Sequence, residues 1–229
     1  MQIWTVVAPL LAANCYVLAD DDGRCVVIDP GAGVLAGVAD VVDAHGLRPV
    51  GVLATHGHVD HTWDAAGLCD TYGVALHLHE ADVYRISDPF GSLGPLGPQL
   101  AAMAASAGMV HRLPARVVGF AAPAREHAEI TVGAEADAGP LVLRVLHSPG
   151  HTQGSTVYLA DIDGAETALT GDVLFAGSIG RTDLPGGGDA AMALTLRRLR
   201  SLPGSTRLRP GHGPASLMST ELLRNPFLR

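Results

Sequence analysis

The sequence predicts an α/β protein with two sheets held between helices. Three observations point there. Short apolar segments with strand-like alternation are separated by stretches of helical spacing. The order strands, helix, strand, helix runs through the first half and again through the second, which favours two sheets over one singly wound parallel sheet. Of the 229 residues, 48% are hydrophobic, and 28 Gly and 15 Pro supply turns, so there is apolar mass for a real core.

The elements follow in order. QIWTVV, NCYVLAD and RCVVIDPG read as three successive strands, the last closed by Asp29-Pro30-Gly31. Val34 to His45 has helical spacing and stops at Gly46. Val50 to Ala54 is a short buried strand, a helix follows from about His61 to Tyr72, GVALHLH is another strand, and a helix starts near Glu80. From Ser87 to Pro114 the pattern changes. DPFGSLGPLGP is rich in Gly and Pro, and an Ala/Met stretch from Leu100 to Ala107 predicts a short helix. We read 87–114 as an inserted loop, a lid or substrate wall ahead of a mobile connector. Strands resume with ITVG, PLVLRVLHS, STVYLA and AETALTGD. A helix with Asp189 as N-cap runs to Arg200, TRLRP is a last strand, and a last helix follows Pro214. With no short-period repeat and no disordered linker, 1–229 reads as a single domain carrying that insertion.

The net charge is −8, and Lys is absent, so every basic side chain is Arg. An acidic chain without a broad basic patch excludes nucleic acid and anionic membrane as expected partners. The cluster Arg197 to Arg209 reads as a solvated helix face and turn. Three widely spaced cysteines, Cys15, Cys25 and Cys69, with no CxxC, argue against a disulfide framework. The first segment alternates like strands and lacks a positive leader region, so no signal peptide is expected. No apolar run is long enough to span a bilayer. The expected home is a reducing cytoplasm.

The chemistry concentrates in THGHVDH, Thr55 to His61, directly after the buried strand VGVLA. His56 and His58 are two apart on extended chain and point to one side. Asp60 and His61 then open a helix and face a neighbouring point. Two ligand sets so close suit a dinuclear metal site. Further candidates follow at later strand ends: His151 in SPGHTQGS, Asp172 in LTGDVLF and His212 in RPGHGP, each beside a Gly that lets backbone approach closely. That makes seven candidate ligands, His56, His58, Asp60, His61, His151, Asp172 and His212. A mixed nitrogen and oxygen set suits zinc first, and also iron or manganese. The other histidines carry no partner motif. His45 sits at a helix C-terminus, where positive charge is favourable. His77 and His79 share a strand face and read as packing; His111, His127 and His147 read as structural or exposed.

These motifs, in this order, resemble the metallo-β-lactamase superfamily from the strands before Asp29 to His212. The resemblance implies an αββα sandwich, two mixed sheets between helical layers, with metal at one edge of the sheets. It implies that His56, His58 and His151 bind one metal ion, that Asp60, His61 and His212 bind a second, and that Asp172 bridges them. Asp29 matches a position that buttresses the metal loop. GDVLFAGSIGRTDLPGG, Gly171 to Gly187, is similar to the glyoxalase II-like (hydroxyacylglutathione hydrolase-like) branch, whose members hydrolyse thioesters of a small thiol and a 2-hydroxy acid. That branch implies two divalent ions, a bridging hydroxide that attacks the thioester carbonyl, and a metal that stabilises the oxyanion. Asp60 would orient the nucleophile as well as bind metal. Arg181, Thr182 and Asp183 are candidate substrate contacts, with holding the loop an equal alternative for Thr182 and Asp183. Glyoxalase II proper carries a helical C-terminal extension with basic residues for the glutathione carboxylates; the short tail here offers only Arg224 and Arg229 beside Arg181, which puts another small thiol in view.

The runner-up is a persulfide dioxygenase, whose relatives share the GRTD stretch and would hold one iron on His56, His151 and Asp172. The second ligand set weighs toward hydrolysis. Lactonase chemistry on the same site is a further alternative, since fold and metal do not fix substrate. A non-catalytic scaffold does not account for seven ligands.

Overall fold

The structure is a computed structural model and describes residues 1–123, 127–133 and 138–229. Strands β1 (Gln2–Val7), β2 (Asn14–Ala19), β3 (Arg24–Ile28), β4 (Arg48–Leu53), β5 (Leu76–His79) and β6 (Val117–Phe120) form one sheet in that order. Its first three strands pair antiparallel and the rest parallel. Strands β7 (Ala128–Val132), β8 (Leu141–His147), β9 (Thr156–Ile162) and β10 (Ala165–Gly171) begin the second half. A small ribbon, β11 (Leu174–Phe175) with β12 (Ser178–Ile179), precedes β13 (Arg207–Pro210) and β14 (Ser216–Leu217). The second sheet has the order β14-β13-β10-β9-β8-β7 and is antiparallel except where β13 lies parallel to β10. Both sheets are therefore six-stranded and mixed.

The helices are α1 (Leu35–His45), α2 (Val59–Thr62), α3 (Ala65–Tyr72), α4 (Val83–Ser87), α5 (Gly97–Ser106), α6 (Asp189–Leu199) and α7 (Met218–Arg224). Side chains along a strand alternate between faces, and here that alternation separates two cores. In β2 and β3, Val17 and Val27 pack outward with Val38 of α1 and Leu68 of α3. Their neighbours Leu18 and Val26 turn inward and meet Leu143, Tyr158 and Leu169 of the second sheet. The outer face of that sheet, Val157, Leu159 and Ala168, is covered by Met192 and Leu196 of α6 and Met218 of α7. Three apolar layers between four structural layers make the expected αββα sandwich. Strands buried on both faces read as continuous apolar runs, which is why all of β2 is buried.

Several elements differ from the sequence reading. The helix expected over 61–72 is two helices, α2 and α3, interrupted at Trp63 and Asp64. Asp64 leaves the helical path because its carboxylate accepts from the Gly33 and Val34 amides, both at 2.8 Å, and so satisfies the open N-terminus of α1. Asp189 is the first residue of α6 rather than its cap; Gly188 occupies the cap, and Asp189 instead accepts from the Thr182 hydroxyl. The helix near Glu80 starts with one 3-10 turn, Glu80–Asp82, before α4. Within 87–114 the short helix begins earlier than Leu100, at Gly97.

Candidate metal centre

Four strand ends deliver the predicted ligands to one edge of the sandwich. β4 runs into Thr55 to His61, β8 into His151, β10 into Asp172 and β13 into His212. Backbone bonds join these loops: Thr156 N–H donates to Thr55 O at 2.8 Å, and Gly211 N–H donates to Gly171 O at 2.8 Å. Close approach explains the glycines. A Cβ on Gly211 would collide with the Asp172 carboxylate and come within 2.7 Å of His61 Cε1.

The side chains converge in three overlapping groups whose ligand atoms all lie within 4.8 Å of one another: His56, His58 and His151; Asp60, His61 and His212; and His56, His61 and Asp172. Asp172 touches both sets. Its Oδ1 is 3.4 Å from His61 Nε2, and its Oδ2 is 3.7 Å from both His151 Nε2 and His212 Nε2. Asp60 Oδ2 lies 3.3 Å from His212 Nε2 and 3.7 Å from His61 Nε2.

The outward nitrogen of four of the five imidazoles, all but His58, is occupied, which fixes those rings. His61 Nδ1 is 3.1 Å from Asp29 Oδ2, His151 Nδ1 is 2.8 Å from Arg181 O, and His212 Nδ1 is 3.2 Å from Ala12 O. His56 Nδ1 lies 3.1 Å from the Thr55 hydroxyl, which itself donates to Asp29. Such outer partners orient metal-binding imidazoles and raise their basicity.

The donor set fits cations. His56, His58, His61 and His151 are buried. His56 Nε2 and Asp172 Oδ1 have no hydrogen-bond partner, as does the remote Nε2 of His58. His58 Nδ1 and His151 Nε2 are only 2.9 Å apart, and His61 Nε2 and His212 Nε2 3.2 Å apart. Two facing imidazole nitrogens at that separation need a proton or a cation between them. Burial pushes His56, His58 and His151 below the usual histidine range, so they present lone pairs. Burial would also depress His61, but the carboxylates of Asp172, Asp60 and Asp29 outweigh it and raise His61 to about 10. Burial would raise Asp60, but His61 and His212 hold it well below the usual carboxylate range.

The residues read as substrate contacts have mixed fates. Arg181 and Asp183 are exposed and pair with each other at 2.7 and 2.8 Å. Thr182 holds the start of α6 through Asp189. Arg181 and Thr182 also line a cavity of about 770 Å³, and Arg197, Arg200 and Arg229 stand around the same cavity. Two arginines read as a solvated face thus belong to a basic hollow, whereas Arg224 is not among its lining residues. The hollow abuts the centre, because Gly180 lies on its wall and a Cβ there would sit 3.2 Å from His151 Nδ1.

Sequence reasoning missed a buried pair, Asp82 and Arg85. Asp82 accepts from Gly57 N–H and Gly154 N–H, both at 2.9 Å, and from the Thr152 hydroxyl at 2.6 Å. It therefore ties together the loops that carry His56, His58 and His151. Arg85 closes on it at 3.1 Å and reaches Ser92 O and Pro185 O. An acid and a base three apart at the start of a helix after a strand end was the available signal.

Comparison with known proteins agrees with this geometry. A family model described as the Metallo-beta-lactamase superfamily matches residues 8–212. An uncharacterized protein of Mycobacterium bovis is 38% identical over 226 residues, covering 96% of this chain and 95% of that one. A probable metallo-hydrolase of Bacillus subtilis, YqgX, is 32% identical over 219 residues, covering 95% and 93%. A hydroxyacylglutathione hydrolase of Cupriavidus taiwanensis is 35% identical over 199 residues, 86% of this chain but 62% of that one. Among solved structures, BLEG-1 B3 metallo-beta-lactamase superposes with a TM-score of 0.77 at 28% identity, covering 99% of both chains. TTHA1623 in a di-iron-bound form superposes at 0.75 and 31%, covering 98% of this chain and 100% of that one.

Proposed function

The chain belongs to the metallo-β-lactamase superfamily and is a metal-dependent hydrolase, and we propose that it hydrolyses thioesters in the manner of glyoxalase II. The observation that carries this reading is the pair of intact ligand sets meeting at Asp172. His56, His58 and His151 would hold one divalent ion, Asp60, His61 and His212 a second, and Asp172 both. Zinc suits the donors, and iron or manganese are compatible with them. Bound there, the ions supply an ionised water at neutral pH and a Lewis acid for the scissile carbonyl.

The chain's own groups supply the rest. Asp60, kept ionised, would accept a hydrogen bond from the nucleophile and so orient it. Asp29, Thr55 and the carbonyls of Arg181 and Ala12 fix the imidazoles, so little reorganisation accompanies reaction. A thiolate leaves readily, so a strong general acid is not required. The arginine-lined hollow supports a thiol that bears anionic groups, because guanidinium forks match carboxylate and phosphate. Arg181 shares its charge with Asp183, which leaves Arg197, Arg200 and Arg229 as the stronger candidates there. Three buried free thiols suit a reducing cytoplasm.

His212→Ala tests the reading against a one-iron dioxygenase. Metal per chain should fall from about two toward one, and thioester cleavage by at least ~10²-fold, the scale for losing a transition-state stabiliser. Oxygen uptake with glutathione persulfide is measured beside it. Wild type that holds one iron and consumes oxygen, with the variant doing the same, would sink the hydrolase reading.

A further inference from the structure

We propose that an apolar groove beside Asp60, walled by the β1–β2 connection and α5, receives the acyl arm of the thioester, and that this arm is an aliphatic chain. The proposal rests on the thioesterase reading and names the substrate class for that same site.

Helix α5, GPQLAAMAAS, carries no charge, and Gly97 is its one buried residue. Leu100, Met103 and Ala104, with Ala107 at the C-cap, recur at helical spacing and line one hollow. Leu100 rests against the small apolar cluster of Val59, Leu93 and Leu184, whereas Met103 is 49% exposed, so the far end of the stripe is open to the hollow. A concave apolar surface of this kind is open to a ligand's apolar group.

The facing wall is built differently. Leu10 and Leu11 are 42% and 48% exposed and line the same hollow. Leu11 and Ala12 both adopt left-handed backbone, with φ of 62° and 54°. Non-glycine residues hold that conformation only where surroundings impose it. Here the Ala12 carbonyl meets His212 Nδ1 at 3.2 Å, Ala13 bridges His212, and Ala8 N–H donates to Ala13 O at 2.8 Å. The strained turn is thus tied to a candidate metal ligand while it presents two leucines to the groove.

The floor joins the groove to the chemistry. Trp63 and Phe90 stand with ring centroids 6.2 Å apart, and Asp60 itself is on the wall. Among the described lining residues, only Asp60 and the Trp63 indole bring a polar side-chain atom. A hydroxylated arm would lose hydrogen bonds to water there and regain few, whereas methylenes would gain. The hollow measures about 80 Å³, room for a few methylene groups. The arginine-lined hollow on the His151 side accounts for an anionic thiol, which leaves this flank for the acyl chain.

The test uses the metal-loaded protein and N-acetylcysteamine thioesters of acyl chains from acetyl to octanoyl. Up to hexanoyl, kcat/KM should rise about twofold to fourfold per added methylene. In Leu11→Asn and in Met103→Gln the rise per methylene should shrink to less than about twofold, which follows from removing apolar area. Trp63 gives a readout independent of hydrolysis. With Trp4→Phe leaving it as the single indole, hexan-1-ol should shift its emission saturably, and Met103→Gln should weaken the effect. A flat chain-length series with no emission shift overturns the groove. A gain that appears with alkyl chains on the thiol and not on the acyl group overturns the assignment of the arm. An emission shift with no thioester cleaved overturns the thioesterase reading, and the acyl assignment with it, but leaves the groove as an apolar subsite.

Discussion

Asp29 shows how one residue can hold the His56–His61 loop from behind the candidate ligands. Its backbone sits at φ 55°, a left-handed conformation that Asp tolerates better than most residues. From there its carboxylate accepts from Thr55 N–H at 2.6 Å, from the Thr55 hydroxyl at 2.7 Å, and from His61 Nδ1 at 3.1 Å. The first two bonds fix the start of the His56–His61 loop, and the third fixes the tautomer that leaves His61 Nε2 facing inward. Asp29→Ala should therefore weaken metal affinity about 10- to 100-fold, the effect typical of losing such a partner. Competition titration against a chelator measures it. Unchanged affinity would show that Asp29 serves the fold alone. The convergence of the candidate histidines was legible because a His-rich surface loop would not account for a cluster that caps a buried strand. The Thr55 link and the two hydrogen-bonded carbonyls were not, since a carbonyl's partner depends on chain path rather than on residue type.

At the scale of elements, the 3-10 turn Glu80–Asp82 and α4 are a brace rather than a linker. Asp82 and Arg85 are fully buried, and their pair spans from the His56–His58 loop to the segment after His151. Removing one member leaves the other as an uncompensated buried charge. Arg85→Met should destabilise by about 3–5 kcal/mol, and adding Asp82→Asn should cost less than the two changes summed. Urea unfolding of the single and double variants checks this, and strict additivity would contradict the pairing. The same pair shows why some of the architecture escaped the sequence. Most strands announced themselves by their apolar pattern, whereas β11, β12 and β14 run for two residues, too few to show a period, and the VVGF of β6 does not alternate. The break between α2 and α3 arises from Asp64 bonding to amides about thirty residues earlier, which no local pattern contains. Asp189 resembled an N-cap by type, but the Thr182 hydroxyl recruits its carboxylate.

At the scale of the molecule, the ligands come from both halves of the chain. His56, His58, Asp60 and His61 follow β4 of the first sheet, while His151, Asp172 and His212 follow strands of the second. Bound ions would therefore staple the two sheets at one edge, adding to the apolar layer between them. A ligand that binds only the folded state stabilises by about 2.7 kcal/mol at a free concentration of 100 times its Kd. In a chain of this size 1 kcal/mol moves Tm by about 2–4 °C, so the loss of each ion should lower Tm by about 5–11 °C. The three apolar layers do not depend on the ions, so the stripped protein should still unfold cooperatively. Activity should vanish on stripping and return, with Tm, when zinc, iron or manganese is restored. Calorimetry beside metal analysis decides the matter. If Tm and activity both persist in protein shown to be free of metal, the seven side chains do not converge to hold cations, and the basis for a metal-dependent hydrolase at this edge is lost.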